Sequence, residues 1–83
     1  MHRDAEQPLR AWFAEAKKAD WKQPADILHH YSNSRVLGKN RAVFNIKGND
    51  YRLVVIVRYD KGSVFVRFVG THAEYDKIDA LTV

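Results

Sequence analysis

The stretch from Arg41 to Asp76 constrains the fold of this chain most strongly, because it reads as three strands followed by a capped helix. Gly48-Asn49 separates two runs rich in Val, Ile, Phe and Tyr, and Lys61-Gly62 separates the second run from a third. Both dipeptides suit the two-residue loops of β-hairpins. The pattern therefore predicts an antiparallel meander.

The two loops also set the predicted registers, since facing residues of a hairpin share one side of the sheet. The predicted pairs are Asn45 with Arg52 and Phe44 with Leu53 at the first hairpin, and Arg58 with Phe65, Ile56 with Arg67, Val57 with Val66 and Val55 with Phe68 at the second. One face of this sheet is apolar and predicts the core: Phe44, Ile46, Tyr51, Leu53, Val55, Val57, Val64, Val66 and Phe68.

The opposite face, which carries Arg41, Asn45 and Arg52 and which we call the basic face, mixes cations with apolar residues. Its other predicted members are Lys47, Arg58, Arg67, Val43, Val54, Ile56, Phe65 and Val69. A face that met only water would not need so many apolar residues, and a buried face could not hold unpaired cations. The basic face therefore predicts a binding surface for an anion with planar parts.

Length and charge limit the partners of such a surface. The 83 residues predict one small domain spanning 1–83, and a net charge of +4 favours nucleic acid, an acidic protein or an anionic membrane surface. The chain has no Cys, which excludes disulfides, thiolate zinc sites and a Cys nucleophile. No apolar run approaches the roughly 20 residues that span a bilayer, so we expect a cytoplasmic protein that does not enter a membrane.

Two helices are predicted before the sheet. The first begins near Asp4, which can cap it, and the second runs from Pro24 to about Tyr31. The predicted inner residues are Leu9, Trp12, Phe13 and Ala16 in the first helix, and Ile27, Leu28 and Tyr31 in the second. Arg35-Val36-Leu37 predicts a further short strand. The expected fold is α+β: an antiparallel sheet of three to four strands, two N-terminal helices and a short C-terminal helix.

The C-terminal helix carries the strongest candidate for chemistry. Thr71 and Glu74 have the spacing of a capping box, which places His72 at the first helical position. Tyr75 and Asp76 follow one turn later, and Ile78 and Leu81 are expected to dock on the core. An imidazole exchanges protons near neutral pH, so His72 is either a general acid or base or simply an exposed first-turn residue. Phosphate-binding glycine loops and the common metal and hydrolase motifs are absent from the sequence, and no cofactor or metal is predicted.

Three segments of the chain resemble one family: DAEQPLRAWFAEAKKADWKQPADI, RAVFNIKGNDYRLVVIV and VRFVGTHAEYD. They are similar to the HigB toxins of bacterial type II toxin–antitoxin systems, which belong to the RelE-like superfamily of mRNA interferases. The resemblance implies a RelE-like fold and a ribosome-dependent endoribonuclease that cleaves mRNA. It also implies a HigA-type helix-turn-helix antitoxin as partner, with operator DNA bound only through that antitoxin.

The chain differs from the usual family pattern at the N-terminus. Family members usually begin with a strand and a further helix ahead of the segment that matches Asp4 to Ala19. We therefore expect the sheet to lack a neighbour on one side and to leave an exposed edge.

Cleavage of this class needs no metal, because the 2′-hydroxyl of RNA is the nucleophile. The candidate catalytic residues are Arg52 and Arg67 for phosphate charge, His72 for proton transfer, and Tyr75 and Asp76 as supporting groups. The candidate RNA-binding residues are Lys39, Arg41, Asn45, Lys47 and Arg58, with Asn45 also able to orient Arg52. Two alternatives stay open: a non-catalytic RNA- or protein-binding module, and a small basic domain whose basic face is covered by its own termini or by an oligomer partner.

Overall fold

A four-stranded antiparallel sheet in the order β1-β2-β3-β4 forms the centre of the protein. The structure is a computed structural model that describes residues 3–83. The strands are β1 (Arg35–Leu37), β2 (Arg41–Ile46), β3 (Tyr51–Arg58) and β4 (Ser63–Thr71), and the helices are a 3-10 turn (Arg3–Ala5), α1 (Glu6–Ala19), α2 (Pro24–His30) and α3 (His72–Tyr75). The predicted α+β fold class is confirmed, and the fourth strand is present.

The β2–β3 hairpin has the predicted register. Asn45 lies opposite Arg52, Phe44 opposite Leu53, and Arg41 opposite Ile56. Hydrophobic alternation places Phe44 and Leu53 on the same side, and the turn at Gly48-Asn49 sets which residues face each other, which is why the sequence specified this register.

The β3–β4 hairpin differs from the predicted one. Its turn has four residues, Tyr59 to Gly62, so Arg58 pairs with Ser63 and Ile56 pairs with Phe65. The predicted pairs Arg58 with Phe65, Ile56 with Arg67, Val57 with Val66 and Val55 with Phe68 are therefore wrong. The favoured two-residue I′ loop needs positive φ at both positions, and within the predicted dipeptide only Gly62 has it, at 67°.

A β-bulge in β4 changes the faces of the strand beyond it. Val55 pairs with Val66 and Val54 pairs with Phe68, so Arg67 is the extra, unpaired residue of β4. Beyond the bulge Phe68 lies on the basic face rather than in the predicted core, and Val69 packs against the core rather than on the basic face. A hydrophobic pattern read with an unbroken period of two could not show this change.

The core lies between the helices and the other face of the sheet. Phe44 is 1% exposed, and its ring centroid lies 4.9 Å from that of Trp12, 5.7 Å from Trp21 and 5.4 Å from Tyr31. The predicted core role of Trp12 is thus confirmed. Four residues that the sequence pattern placed inside are instead well exposed: Phe13, Leu28, Val66 and Leu81.

The N-terminal turn is tied to the β2–β3 hairpin. The predicted capping role of Asp4 is wrong, because the N-cap of α1 is Ala5 and no side chain caps it. The Asp4 carboxylate instead accepts hydrogen bonds from the Tyr51 hydroxyl and, at 3.0 Å, from Lys47 Nζ. These two donors, Tyr51 foremost, lower the pKa of Asp4 below its usual 3.8, and the same contact raises the pKa of Tyr51 to about 12.

No helix within residues 3–83 has the length and apolar character needed to cross a membrane.

Tyr51→Phe should move the pKa of Asp4 upward toward 3.8, because the substitution removes the hydroxyl that contributes most to its lowering. A group whose folded pKa is depressed stabilises the fold above its unfolded pKa, and that contribution is lost as pH falls through the folded pKa. Wild type should therefore lose stability below about pH 3.8 more steeply than Asp4→Asn. Carboxyl NMR titration and urea unfolding between pH 7 and pH 2.5 measure both effects. An Asp4 pKa that is the same in wild type and Tyr51→Phe would contradict the assignment.

Candidate nucleic-acid interface

A reciprocal capping box starts α3 directly after the last strand. Glu74 N donates to Thr71 Oγ1 at 3.2 Å, and Thr71 N donates to Glu74 Oε1 at 2.8 Å. The predicted box is confirmed, and it fixes His72 as the first helical residue with an exposed side chain. The amide of Asp76 donates to the His72 carbonyl at 3.0 Å and closes this short helix. The imidazole is therefore presented to solvent from a backbone that is held at both ends.

Arg52 is held beside this helix by two side chains. Arg52 Nη1 donates to Asn45 Oδ1, its cross-strand neighbour, and the guanidinium carbon lies 5.7 Å from the ring centroid of Tyr75. Among residues 3–83 the buried Arg52 Nε finds no acceptor. The Asn45 amide and the Tyr75 ring thus orient the guanidinium, and it keeps N–H donors that a ligand could use. We call Asn45, Arg52 and Tyr75 the Arg52 cluster.

Gly70 lets α3 come close to the sheet. It pairs with Arg52, and a Cβ added to it would lie 2.6 Å from Phe68 Cζ and 2.8 Å from Glu74 Oε1. The Phe68 ring also lies 6.5 Å from the Tyr75 ring. Sequence reasoning did not identify Phe68 or Gly70 as parts of the site. The sequence did contain a signal of the change in β4: the adjacent apolar residues Phe68 and Val69 interrupt the alternation of the strand.

Arg67 belongs to a different part of the basic face from the Arg52 cluster. Arg67 Nε donates to the main-chain oxygen of Val83 at 3.1 Å, and Arg41 Nη1 donates to the same oxygen at 2.6 Å and to the Ala80 carbonyl at 3.2 Å. Arg41 faces Ile56, four positions along β3 from Arg52 or roughly 13 Å of strand. The sequence-based grouping of Arg67 with Arg52 at one end of the face therefore does not match the hydrogen bonds.

The C-terminal segment, residues 76–83, lies against the basic face through these two arginines. Val43 and Val54, cross-strand partners on this face, are 2% and 0% exposed, so the middle of the face is covered rather than open. One alternative from the sequence was that the chain's own terminus covers the basic face. That arrangement is present around Val43 and Val54. Leu81 was expected on the core, but it is 37% exposed. Hydrogen bonds to backbone carbonyls leave no pattern in a sequence, so this arrangement could not be foreseen.

The remaining candidate cations are spread around the sheet. Lys47 lies in the β2–β3 turn, where Asp4 raises its pKa, and Arg58 Nε lies 3.5 Å from Asp60 Oδ1. Lys39 is exposed in the β1–β2 turn with φ 57°. These three side chains do not converge on the Arg52 cluster.

Gly70→Ala should disturb the site, because the added methyl group would displace the Phe68 ring or the Glu74 carboxylate that caps α3. We expect the free energy of unfolding to fall by about 1–3 kcal/mol, as for other overpacked positions. The amide resonances of Thr71 and Glu74 should shift as the capping box opens. Thermal or urea unfolding and amide NMR measure these changes.

Gly38→Ala is the matched control, since an added Cβ at Gly38 would meet nothing within 4 Å. Its unfolding free energy should stay within about 0.5 kcal/mol of wild type. Equal stability of the two variants, with an intact capping box in Gly70→Ala, would show that the close approach at Gly70 is unimportant.

Comparison with known proteins identifies the family to which this site belongs. Residues 5–78 match the model of the HigB toxin family, described as the RelE-like toxic component of a toxin–antitoxin system. A search of curated proteins found no match. The matched region contains α1, α2, the whole sheet and α3 with its capping box, and it ends within the C-terminal segment. The chain belongs to the HigB toxin family, the RelE-like toxic components of toxin–antitoxin systems.

Proposed function

We propose that this toxin is a ribosome-dependent endoribonuclease that cleaves translated mRNA in the cytoplasm and thereby inhibits growth. The observation that carries the proposal is the Arg52 cluster, in which Asn45 and Tyr75 hold a guanidinium beside the helix that begins with His72. A fixed, permanent cation and a histidine on the helix beside it are groups that phosphodiester cleavage can use for charge stabilisation and proton transfer.

The proposed reaction uses the 2′-hydroxyl adjacent to the scissile phosphate as nucleophile. The 2′-oxygen gives up its proton and attacks phosphorus, and the bond from phosphorus to the 5′-oxygen breaks. The products are a 2′,3′-cyclic phosphate and a 5′-hydroxyl that has taken up a proton. His72 transfers a proton in this reaction. Tyr75 and Asp76, on the same helical turn, support that transfer.

Charge stabilisation is the second requirement. Arg52 binds the non-bridging phosphate oxygens, whose negative charge grows in the transition state, and Arg67 is a second cation on the same face. Arg41, Lys39, Lys47 and Arg58 bind flanking backbone phosphates of mRNA or of ribosomal RNA. The proposed antitoxin is a HigA-type helix-turn-helix protein, through which alone the complex binds operator DNA.

Arg52→Ala and His72→Ala should both reduce mRNA cleavage and growth inhibition while leaving the protein folded. Loss of the Arg52 guanidinium should lower the rate by about 10²–10³ at every pH, because no titration restores its charge. Loss of His72 should lower the rate by about 10²–10⁴, the usual contribution of a general acid or base. Mapping of new mRNA ends after induction, with and without the antitoxin, measures cleavage in cells.

His29→Ala is the control, since His29 is an exposed histidine of α2 on the opposite side of the sheet. It should cleave at the wild-type rate. If His72→Ala keeps the wild-type rate, the proton-transfer role of His72 is wrong. If the parent chain binds RNA in a salt-dependent manner but produces no new mRNA ends, the protein is a non-catalytic RNA-binding module.

Substitutions of Tyr75 separate its positioning role from a chemical one. Tyr75→Phe keeps the ring that faces the Arg52 guanidinium and should retain activity within about threefold of wild type. Tyr75→Ala removes the ring and should lose about 10–30-fold, in line with a partly desolvated cation–π contact. Cleavage rates of the two purified variants test this. A Tyr75→Phe variant as impaired as Tyr75→Ala would assign the chemistry to the hydroxyl group instead.

A further inference from the structure

Strand β4 forms a long edge of the sheet. It is last in the sheet order and has nine residues, whereas β1, at the other edge, has three. Within residues 3–83 no strand pairs with the outer side of β4. The β-bulge at Arg67 interrupts the edge, so residues 63–66 are its regular part. Every second residue of an edge strand directs its N–H and C=O groups outward, and another strand can pair with them there.

An apolar groove runs along this edge, between β4 and α1. One part of the groove, about 320 Å³, lies among Leu9, Phe13 and Val66, and another part, about 360 Å³, lies among Phe13, Lys17 and Val64. Both parts share Phe13, so they are continuous. Phe13 and Val66 are 41% and 44% exposed, although both side chains are apolar. Exposed apolar groups beside a free strand edge are typical of a surface that another chain covers.

Positively charged side chains lie at both ends of the groove. Arg10 lines the part beside Val66, Lys17 lines the part beside Val64, and neither lining contains a carboxylate. Arg10 pairs with Glu6 at 3.1 Å, whereas Lys17 has no ion pair among residues 3–83. The seven residues from Arg10 to Lys17 span about 10 Å of helix, the length of about three residues of a strand. The charge of the groove therefore favours a short acidic segment.

A second copy of this chain does not fit the groove. The chain has a net charge of +4, so two copies repel each other. Antiparallel pairing of residues 63–66 with the same residues of a second copy would also bring Lys61 of each copy beside Arg67 of the other. Like charges across a strand pair are destabilising.

We propose that the groove binds an extended, acidic segment of a partner protein, which adds a fifth strand along residues 63–66. Apolar side chains of the segment cover Phe13 and Val66, and carboxylates at its two ends pair with Arg10 and Lys17. In this mode of recognition main-chain hydrogen bonds supply affinity and the side-chain pockets supply specificity. The groove lies on the helical side of the sheet and shares no residue with the Arg52 cluster, so the proposal does not depend on nuclease activity.

A synthetic peptide tests strand addition to the full chain. The peptide Glu-Thr-Val-Thr-Val-Thr-Glu, with blocked ends, has about the length of a usual strand and places both valines and both glutamates on one face. In an NMR titration it should protect outward-pointing amides of residues 63–66 from hydrogen exchange and shift the ring resonances of Phe13.

A peptide with the same side chains but a methyl group on every backbone nitrogen is the matched control. It cannot donate main-chain hydrogen bonds, each of which contributes about 2–10-fold to affinity. We expect it to bind at least about tenfold more weakly than the parent peptide. Equal affinity of the two peptides would overturn the proposal.

Charge reversal tests the acidic character of the segment. Lys17→Glu should weaken binding of the parent peptide by about fivefold and favour a peptide with lysine in place of both glutamates. Lys18→Glu is the control, since Lys18 is an exposed neighbour that does not line the groove, and it should change affinity less than twofold. Equal losses in the two variants would show general charge attraction and overturn the proposal.

Other occupants of the groove are tested on the same protein. Sedimentation equilibrium of the full chain alone should show a monomer, and single-stranded RNA should not displace the peptide. A dimer in which residues 63–66 are protected without peptide would assign the groove to a second copy. Displacement of the peptide by RNA would assign it to nucleic acid. Either result would overturn the proposal.

Discussion

The contact of Phe44 with three aromatic rings is the interaction on which the rest of the structure depends. Trp12 comes from α1, Trp21 from the connection between the helices, and Tyr31 from the end of α2, and all three rings lie within 6 Å of the Phe44 ring centroid. This cluster decides which side of β2 is the core. The alternation of the strand then obliges Arg41, Val43 and Asn45 to lie on the other side. The position of the basic face is thus a consequence of core packing.

The basic face combines a buried apolar middle with arginine side chains around it. Its middle is dry, because Val43 and Val54 are almost completely buried, whereas the guanidinium groups of Arg41 and Arg52 lie around it. Low solvent access strengthens every hydrogen bond that an arginine makes, and it also makes an unsatisfied donor costly. The guanidinium groups are stabilised by the amide of Asn45, the ring of Tyr75 and the main-chain oxygen of Val83.

Features set by neighbouring residues could be predicted from the sequence. Features that depend on contacts between distant parts of the chain could not. The turn at Gly48-Asn49 and the hydrophobic alternation specified the β2–β3 register, and the spacing of Thr71 and Glu74 specified the start of α3. The four-residue turn from Tyr59 to Gly62 and the bulge at Arg67 depend on the twist and packing of the whole sheet, so the pairs of β4 were predicted wrongly. The placement of the C-terminal segment depends on hydrogen bonds to main-chain oxygens, which carry no residue-specific signal.

The meander has a consequence for the order in which the protein assembles. Every strand pairs with its neighbour in the sequence, so each hairpin closes a loop of only a few residues at a small entropic cost. Chains are synthesised from the N-terminus at about 5–20 residues per second, which is slow compared with the microseconds that a hairpin needs to form. The β2–β3 hairpin, which carries Arg41 and Arg52, precedes residues 79–83 along the chain, and its strand pairing involves none of them. The strands that carry the cations of this toxin can therefore pair fully without the segment that contacts Arg41 and Arg67.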